Sequence, residues 1–197
     1  MSKAMRWIGG PIMALSVVGA AAWAGAGQEP VASRVRPVQA LDVSRYQGTW
    51  YEIARYPNFF ERKCVGDVTA TYEPQADGTL RVLNRCRKED GTEDIAVGIG
   101  RPDVKGGSTA RFKVTFVPKW LEWVPWLYAN YWIVVLDDDY HYAAIGEPSR
   151  EYLWVLSRTP KLDDNTLYQI HAKLRKQGYD TDKLVLTPQK AAQAAAQ

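Results

Sequence analysis

The feature that most constrains this chain is a succession of strand-like runs, rich in β-branched and aromatic residues and bounded by turn residues, between residues 48 and 158. The runs fall near 48–56, 65–73, 79–87, 93–101, 110–117, 130–137, 140–147 and 151–158. Connections such as Lys88 to Gly91, Val104 to Gly107 and Asp137 to Asp139 are of hairpin length. Eight strands joined in this way, sharing one continuous apolar face, can close on themselves, and closure removes the unpaired edges. The predicted fold class is all-β, an eight-stranded antiparallel up-and-down β-barrel. One helix follows, capped by Asp163, Asp164 or Asn165, with Leu167, Ile170 and Leu174 on one side and Gly178 beyond its end. A single short apolar stripe of this kind packs on the outside of a sheet. Lys183 to Thr187 reads as a short ninth strand.

The ends of the chain read differently. Met1 to Arg6 is short and basic, Trp7 to Ala24 is uncharged, and Ala22-Trp23-Ala24 fits a cleavage site, so residues 1–24 are expected to be a secretory signal. The rival reading is an uncleaved anchor, although 18 residues span only about 27 Å as a helix and Gly9-Gly10-Pro11 weakens one. Residues 25–40 read as a flexible lead-in, 41–188 as the folded domain and 189–197 as an Ala/Gln-rich tail. No cysteine precedes Cys64. The expected location is therefore the periplasm, peripheral to the outer membrane at most, without lipid attachment to a cysteine near the leader.

Export gives the two cysteines a meaning, because an oxidising compartment lets a pair close. Cys64 and Cys86 flank two strand runs joined by Pro74-Gln75-Ala76-Asp77-Gly78. A hairpin centred on residue 75 sets Cys64 opposite Cys86, Val68 opposite Val82 and Ala70 opposite Leu80. It also collects Val68, Ala70, Tyr72, Leu80 and Val82 on one oily face. A Cys64–Cys86 disulfide is the expectation. The alternative, a catalytic thiol, would need a nearby base, and neither His141 nor His171 has a context for that role.

Two of the cations behind the net charge of +3, Lys3 and Arg6, belong to the leader. What remains is too weak a field to gather nucleic acid. Asp137-Asp138-Asp139 reads as a turn rather than a cation site, and Arg81, Arg85, Arg87 and Lys88 as a solvated strand face. With no triad, metal cluster or phosphate loop visible, the sequence implies no enzyme, cofactor or metal.

Gly48-Thr49-Trp50 on the first strand, Asp139-Tyr140 in the sixth turn and Ser157-Arg158 closing the eighth strand occur in an order and spacing that resemble the lipocalin family. Trp50-Tyr51-Glu52-Ile53-Ala54-Arg55-Tyr56 and the run from Tyr152 to Pro160 resemble its bacterial members most, and apolipoprotein D more distantly. The likeness runs from about Leu41 to Pro188 and implies a barrel that carries small apolar molecules. The pattern also has a physical sense: Trp50 offers a ring to plug one end, Arg158 can stack on it and donate to exposed carbonyls, and Gly48 gives the chain room as the strand begins.

If Trp50 points inward, alternation places Glu52, Ala54 and Tyr56 inside as well. Likewise Arg158 brings Leu156, Trp154 and Tyr152 to its face. Phe112, Val114 and Phe116 join the Val68–Val82 set. Glu52, Tyr56, Asn84, Tyr131 and Tyr152 are candidates to meet a polar head, and the expected partner is a fatty acid or lysophospholipid. An eight-stranded barrel either holds one small ligand or is packed solid, and the sequence leaves both open. The segment Val117 to Tyr128 carries Trp120, Trp123 and Trp126. Its rings either touch a membrane, fold over the barrel or meet in a homodimer. Two further readings stay open: an isomerase-like enzyme using Glu52 or a tyrosine as acid and base, and an interaction module built on the Trp-rich loop.

Overall fold

The computed structural model describes residues 34–104 and 107–190. The expected leader, the first part of the lead-in and the end of the tail lie outside them. Nine strands form one antiparallel sheet: β1 (Gly48–Arg55), β2 (Cys64–Pro74), β3 (Leu80–Lys88), β4 (Glu93–Pro102), β5 (Arg111–Thr115), β6 (Ala129–Leu136), β7 (Tyr142–Gly146), β8 (Leu153–Ser157) and β9 (Val185–Leu186). From β2 to β8 neighbours follow in chain order, β8 pairs with β1, and β1 returns to β2, closing an eight-stranded up-and-down barrel with β9 added beside β1. Successive connections therefore alternate between its two ends.

A short helix, α1 (Val43–Tyr46), precedes β1 and was not anticipated. One turn carries no periodicity, and its only signal is Asp42, whose carboxylate accepts the Ser44 amide at 2.9 Å. The predicted helix is α2 (Asp164–Lys176), capped by Asp163, which accepts the Thr166 amide at 2.9 Å. Its buried Ile170 and Leu174 pack on Val135, Ala144, Leu153 and Val155, outside the barrel.

The hairpin register is corrected. Tyr72 pairs with Val82 and Ala70 with Asn84, a register centred on residue 77 rather than 75. β2 runs on to Pro74, and the turn closes where the Gln75 amide donates to Thr79 O at 2.8 Å. Because the shift is even, the oily face is preserved. Irregularities around Gly66 then set Cys64 opposite Lys88, with Cys86 diagonal to it, and the Cys64–Cys86 disulfide forms across a Cα separation of 5.5 Å.

A second correction concerns β1. Glu52 pairs with Leu156, but Ala54 pairs with Val155, so Ile53 is a bulge and the alternation flips. Ala54 and Tyr56, expected inside, lie under α2, and the Tyr56 hydroxyl donates to Asp180 O at 2.8 Å. Arg55 takes the inward place, opposite Trp154.

The chain ends are also tied down further than expected. In the lead-in Val35 is buried, and the Val38 amide donates to Ile133 O at 2.8 Å. β1 and β2 pair only over Gly48–Tyr51 and then part, and the segment after β9 fills the gap. There the Asp67 amide donates to Pro188 O at 2.8 Å, and Gln189, assigned to a loose tail, is buried with its amide nitrogen 2.9 Å from both Glu52 O and Val68 O.

Candidate functional site

One end of the barrel is shut. The guanidinium carbon of Arg158 sits 3.9 Å from the Trp50 ring centroid, and its nitrogens donate to Thr49 O, Arg45 O, Tyr46 O and Gln47 O at 2.7–3.2 Å. Trp50 is fully buried and donates its indole N–H to Tyr46 O at 2.8 Å. Tyr140 accepts the Asp42 amide at 2.9 Å and carries Arg45 over its ring, so the Asp139-Tyr140 turn locks α1 in place. Asp137, not Asp139, caps that turn, accepting the Asp139 and His141 amides at 3.2 and 3.1 Å. The role given to Gly48 is corrected: its φ is +88°, and an added Cβ would meet Arg158 only at 3.6 Å, so backbone conformation rather than space demands glycine there.

Above the plug lies a floor of tyrosines. Tyr72 on β2 and Tyr131 on β6 project from opposite walls, and their hydroxyls meet at 2.6 Å. Tyr46 joins from α1, 3.0 Å from the Tyr131 hydroxyl. Burial away from water pushes Tyr72 up to about 12 and holds Tyr46 and Tyr131 well above the ordinary tyrosine range, so all three stay neutral and share protons as donors and acceptors. Leu80, Val82, Phe112, Ile133 and Ile145 pack around them. The lower half of the barrel is therefore solid.

Among the described residues nothing like the Trp50–Arg158 plug closes the other end. Ala96, paired with the inward Asn84, and Ala129, paired with the inward Val114, occupy inward positions yet are exposed. Ala129 opens β6 and Ala96 lies near the start of β4, so both are exposed toward the rim of this end. Gly98 lies on the same face, and a Cβ there would stand 2.5 Å from Thr115 O and 2.7 Å from the Phe116 ring, so only glycine fits. Ala70, Asn84, Tyr131 and Trp154 are half-buried around the same space, while Val68 and Val114 are buried in its wall. The Asn84 side-chain oxygen is buried without a hydrogen-bond partner.

At the mouth stands a charge network. Arg55 Nη1 lies 2.7 Å from Glu52 Oε1, and Arg55 Nε lies 3.0 Å from Glu61 Oε2, while Trp154 Nε1 donates to Glu61 Oε1 at 2.8 Å. Thr187 accepts from Arg55 at 3.0 Å and donates to Glu52. Burial, reinforced by the Glu61 carboxylate and opposed by Arg55, pushes Glu52 up to about 8.

The mouth is rimmed by aromatic residues. Tyr152 stacks on Trp154 with ring centroids 5.9 Å apart, and Phe60 approaches Tyr152 at 5.8 Å. In the β5–β6 connection Val124 is buried, but Trp120, Trp123 and Trp126 are 72%, 75% and 80% exposed. Their rings do not fold over the barrel.

The sequence-predicted residues thus divide. Glu52, Val68, Ala70, Asn84, Val114, Tyr152 and Trp154 lie in the upper part of the barrel or at its mouth. Tyr72, Leu80, Val82, Phe112 and Tyr131 build the floor and the layer beneath it. Sequence reasoning missed Arg55 and Thr187, because the bulge and the path of the C-terminal segment leave no local signal, and it did not single out Glu61, Ala96 or Ala129.

Comparison with known proteins agrees with this architecture. The pattern of the lipocalin-like domain matches residues 41–189. Temperature-induced lipocalin-1 of Arabidopsis thaliana is 42% identical over 153 residues, covering 77% of this chain and 81% of that protein. Outer membrane lipoprotein Blc of Citrobacter freundii is 37% identical over 163 residues, covering 80% and 85%. Among solved structures, insecticyanin from the tobacco hornworm Manduca sexta superposes with a TM-score of 0.61 at 22% identity, covering 78% of this chain and 84% of that one, which speaks for the fold. The chain belongs to the lipocalin family.

Proposed function

We propose that this protein binds one single-chain amphiphile, a fatty acid or lysophospholipid, in the upper half of its barrel, and stores or moves such molecules in the cell envelope. Lipocalin family members bind small hydrophobic ligands, and the bacterial relatives carry the name of outer membrane lipoproteins. The observation that carries the reading is the exposure of Ala96 and Ala129 at inward positions above a closed floor. A tail laid against Ala70, Ala96, Val114 and Trp154 would bury about ten methylenes, roughly 8 kcal/mol gross at ~0.8 kcal/mol each. Ordering costs reduce this toward micromolar affinity, which suits a carrier that must release. The Glu52–Arg55–Glu61 network stands where a polar head would lie.

The test is displacement of a fluorescent fatty acid from delipidated protein. Saturable binding near the micromolar range is expected, weakened at least tenfold in Ala129→Trp, which puts a large ring at the inward position next to Tyr131 on β6. Absence of saturable binding by every fatty acid and lysophospholipid tried would overturn the reading.

A further inference from the structure

The rim carries more exposed aromatic surface than a monomeric water-facing protein has reason to display. Phe59 and Phe60 in the β1–β2 connection are 68% and 70% exposed, and the three rim tryptophans of the β5–β6 connection are more exposed still. Both connections lie at the open end, because links in this meander alternate between ends. The second loop is not loose. Its Val124 is buried, the Tyr128 hydroxyl donates to Glu122 O at 2.9 Å, and Thr115 Oγ1 donates to Leu127 O at 2.8 Å. The loop is folded so that its tryptophans point away from the barrel.

We infer that these two loops dock the protein, mouth first, on an anionic phospholipid bilayer. Separate aromatic side chains at least two-thirds exposed do not make the continuous flat patch that a protein partner covers, whereas a fluid head-group layer can receive each ring independently. Tryptophan in particular favours that boundary. Charge decides which lipid. Arg62, Lys63 and Lys119 are exposed among the aromatics, and Arg62 stacks on Phe59 with its guanidinium carbon 4.1 Å from the ring centroid. The acidic Glu122 of the same loop is paired with Arg101 at 3.4 Å, and Glu61 is turned inward to Arg55 and Trp154. Within these two loops the cations thus stand beside carboxylates that are already paired, whereas the exposed Glu89, Asp90 and Glu151 belong to the other two connections at this end. Docked so, the chamber opens onto the membrane, and an amphiphile passes between them without crossing bulk water. The docking itself requires nothing of the chamber and stands or falls separately from the ligand reading.

The experiment uses vesicles of phosphatidylglycerol and phosphatidylethanolamine, some with brominated acyl chains. Wild-type protein is expected to float with them and to show bromine quenching of its tryptophans. Replacing Trp120, Trp123 and Trp126 by Phe should remove more than half of that quenching. Serine at these positions together with Phe59→Ser and Phe60→Ser should lower partitioning at least tenfold. Arg62→Glu/Lys63→Glu/Lys119→Glu should do the same on anionic vesicles only. Fatty-acid displacement in vesicle-free buffer, run on the Arg62→Glu/Lys63→Glu/Lys119→Glu variant, should be unchanged, which separates this surface from the chamber. Equal quenching in the Phe variant, equal flotation of the Ser variant, or a self-association that the Ser variant abolishes while wild type ignores vesicles would overturn the inference.

Discussion

The hydroxyls of Tyr72 and Tyr131 lie 2.6 Å apart across the barrel axis, joining strands on opposite walls. This contact caps the packed half of the interior, where Leu80, Val82, Phe112, Ile133 and Ile145 gather. On the proposed function it sets how deep a guest reaches. Tyr131→Phe removes the hub hydroxyl and leaves those of Tyr72 and Tyr46 without their partner, so urea denaturation should show a loss of about 1–3 kcal/mol. Tyr131→Ala lowers the floor, and the preferred acyl chain should lengthen in a chain-length series.

Glu52 gives the protein a pH dependence of definite sign. Its folded value of about 8 exceeds its ordinary 4.5, so the folded chain keeps a proton that the unfolded chain releases. The stability from this proton is complete below about pH 4.5, declines as pH rises, and is gone above about 8. Urea midpoints at pH 5, 7 and 9 should fall in that order for wild type, with a visibly flatter trend in Glu52→Gln.

Arg158 closes the barrel through the flat fork of its guanidinium, which serves four carbonyls while stacked on Trp50. Lysine keeps the charge but not the fork. Arg158→Lys should therefore cost about 2–4 kcal/mol in chemical denaturation, while Arg158→Ala should cost at least as much.

The Cys64–Cys86 bond closes a loop of separation 22 around the β2–β3 hairpin. Removing it in Cys64→Ala/Cys86→Ala should lower stability by about 2–4 kcal/mol. Thermal unfolding of wild type with and without reductant should reproduce that difference.

Most of the barrel was legible because its cause is local: alternating apolar residues between turn signals give each strand its place, and Leu167, Ile170 and Leu174 give the helix its face. The plug was legible because Trp50 and Arg158 are residue types with few other uses in that arrangement. The site was harder. One bulge at Ile53 exchanges Ala54 and Tyr56 for Arg55, and no propensity marks a bulge before the partner strand is known. The hairpin centre was missed because Pro74, read as a turn residue, closes β2 instead. Gln189 looked like tail because its partners, Glu52 O and Val68 O, lie more than a hundred residues away.

On the proposed function a guest occupies the space above the tyrosine floor, and a crystal of the protein loaded with a fatty acid brominated at its terminal methyl tests this most directly. The expected result is a single bromine site inside the barrel, between Ala96, Ala129 and the Tyr131 ring, that disappears in Ala129→Trp. Bromine found only on the outer surface, with the chamber of the loaded protein filled by its own side chains, would contradict it.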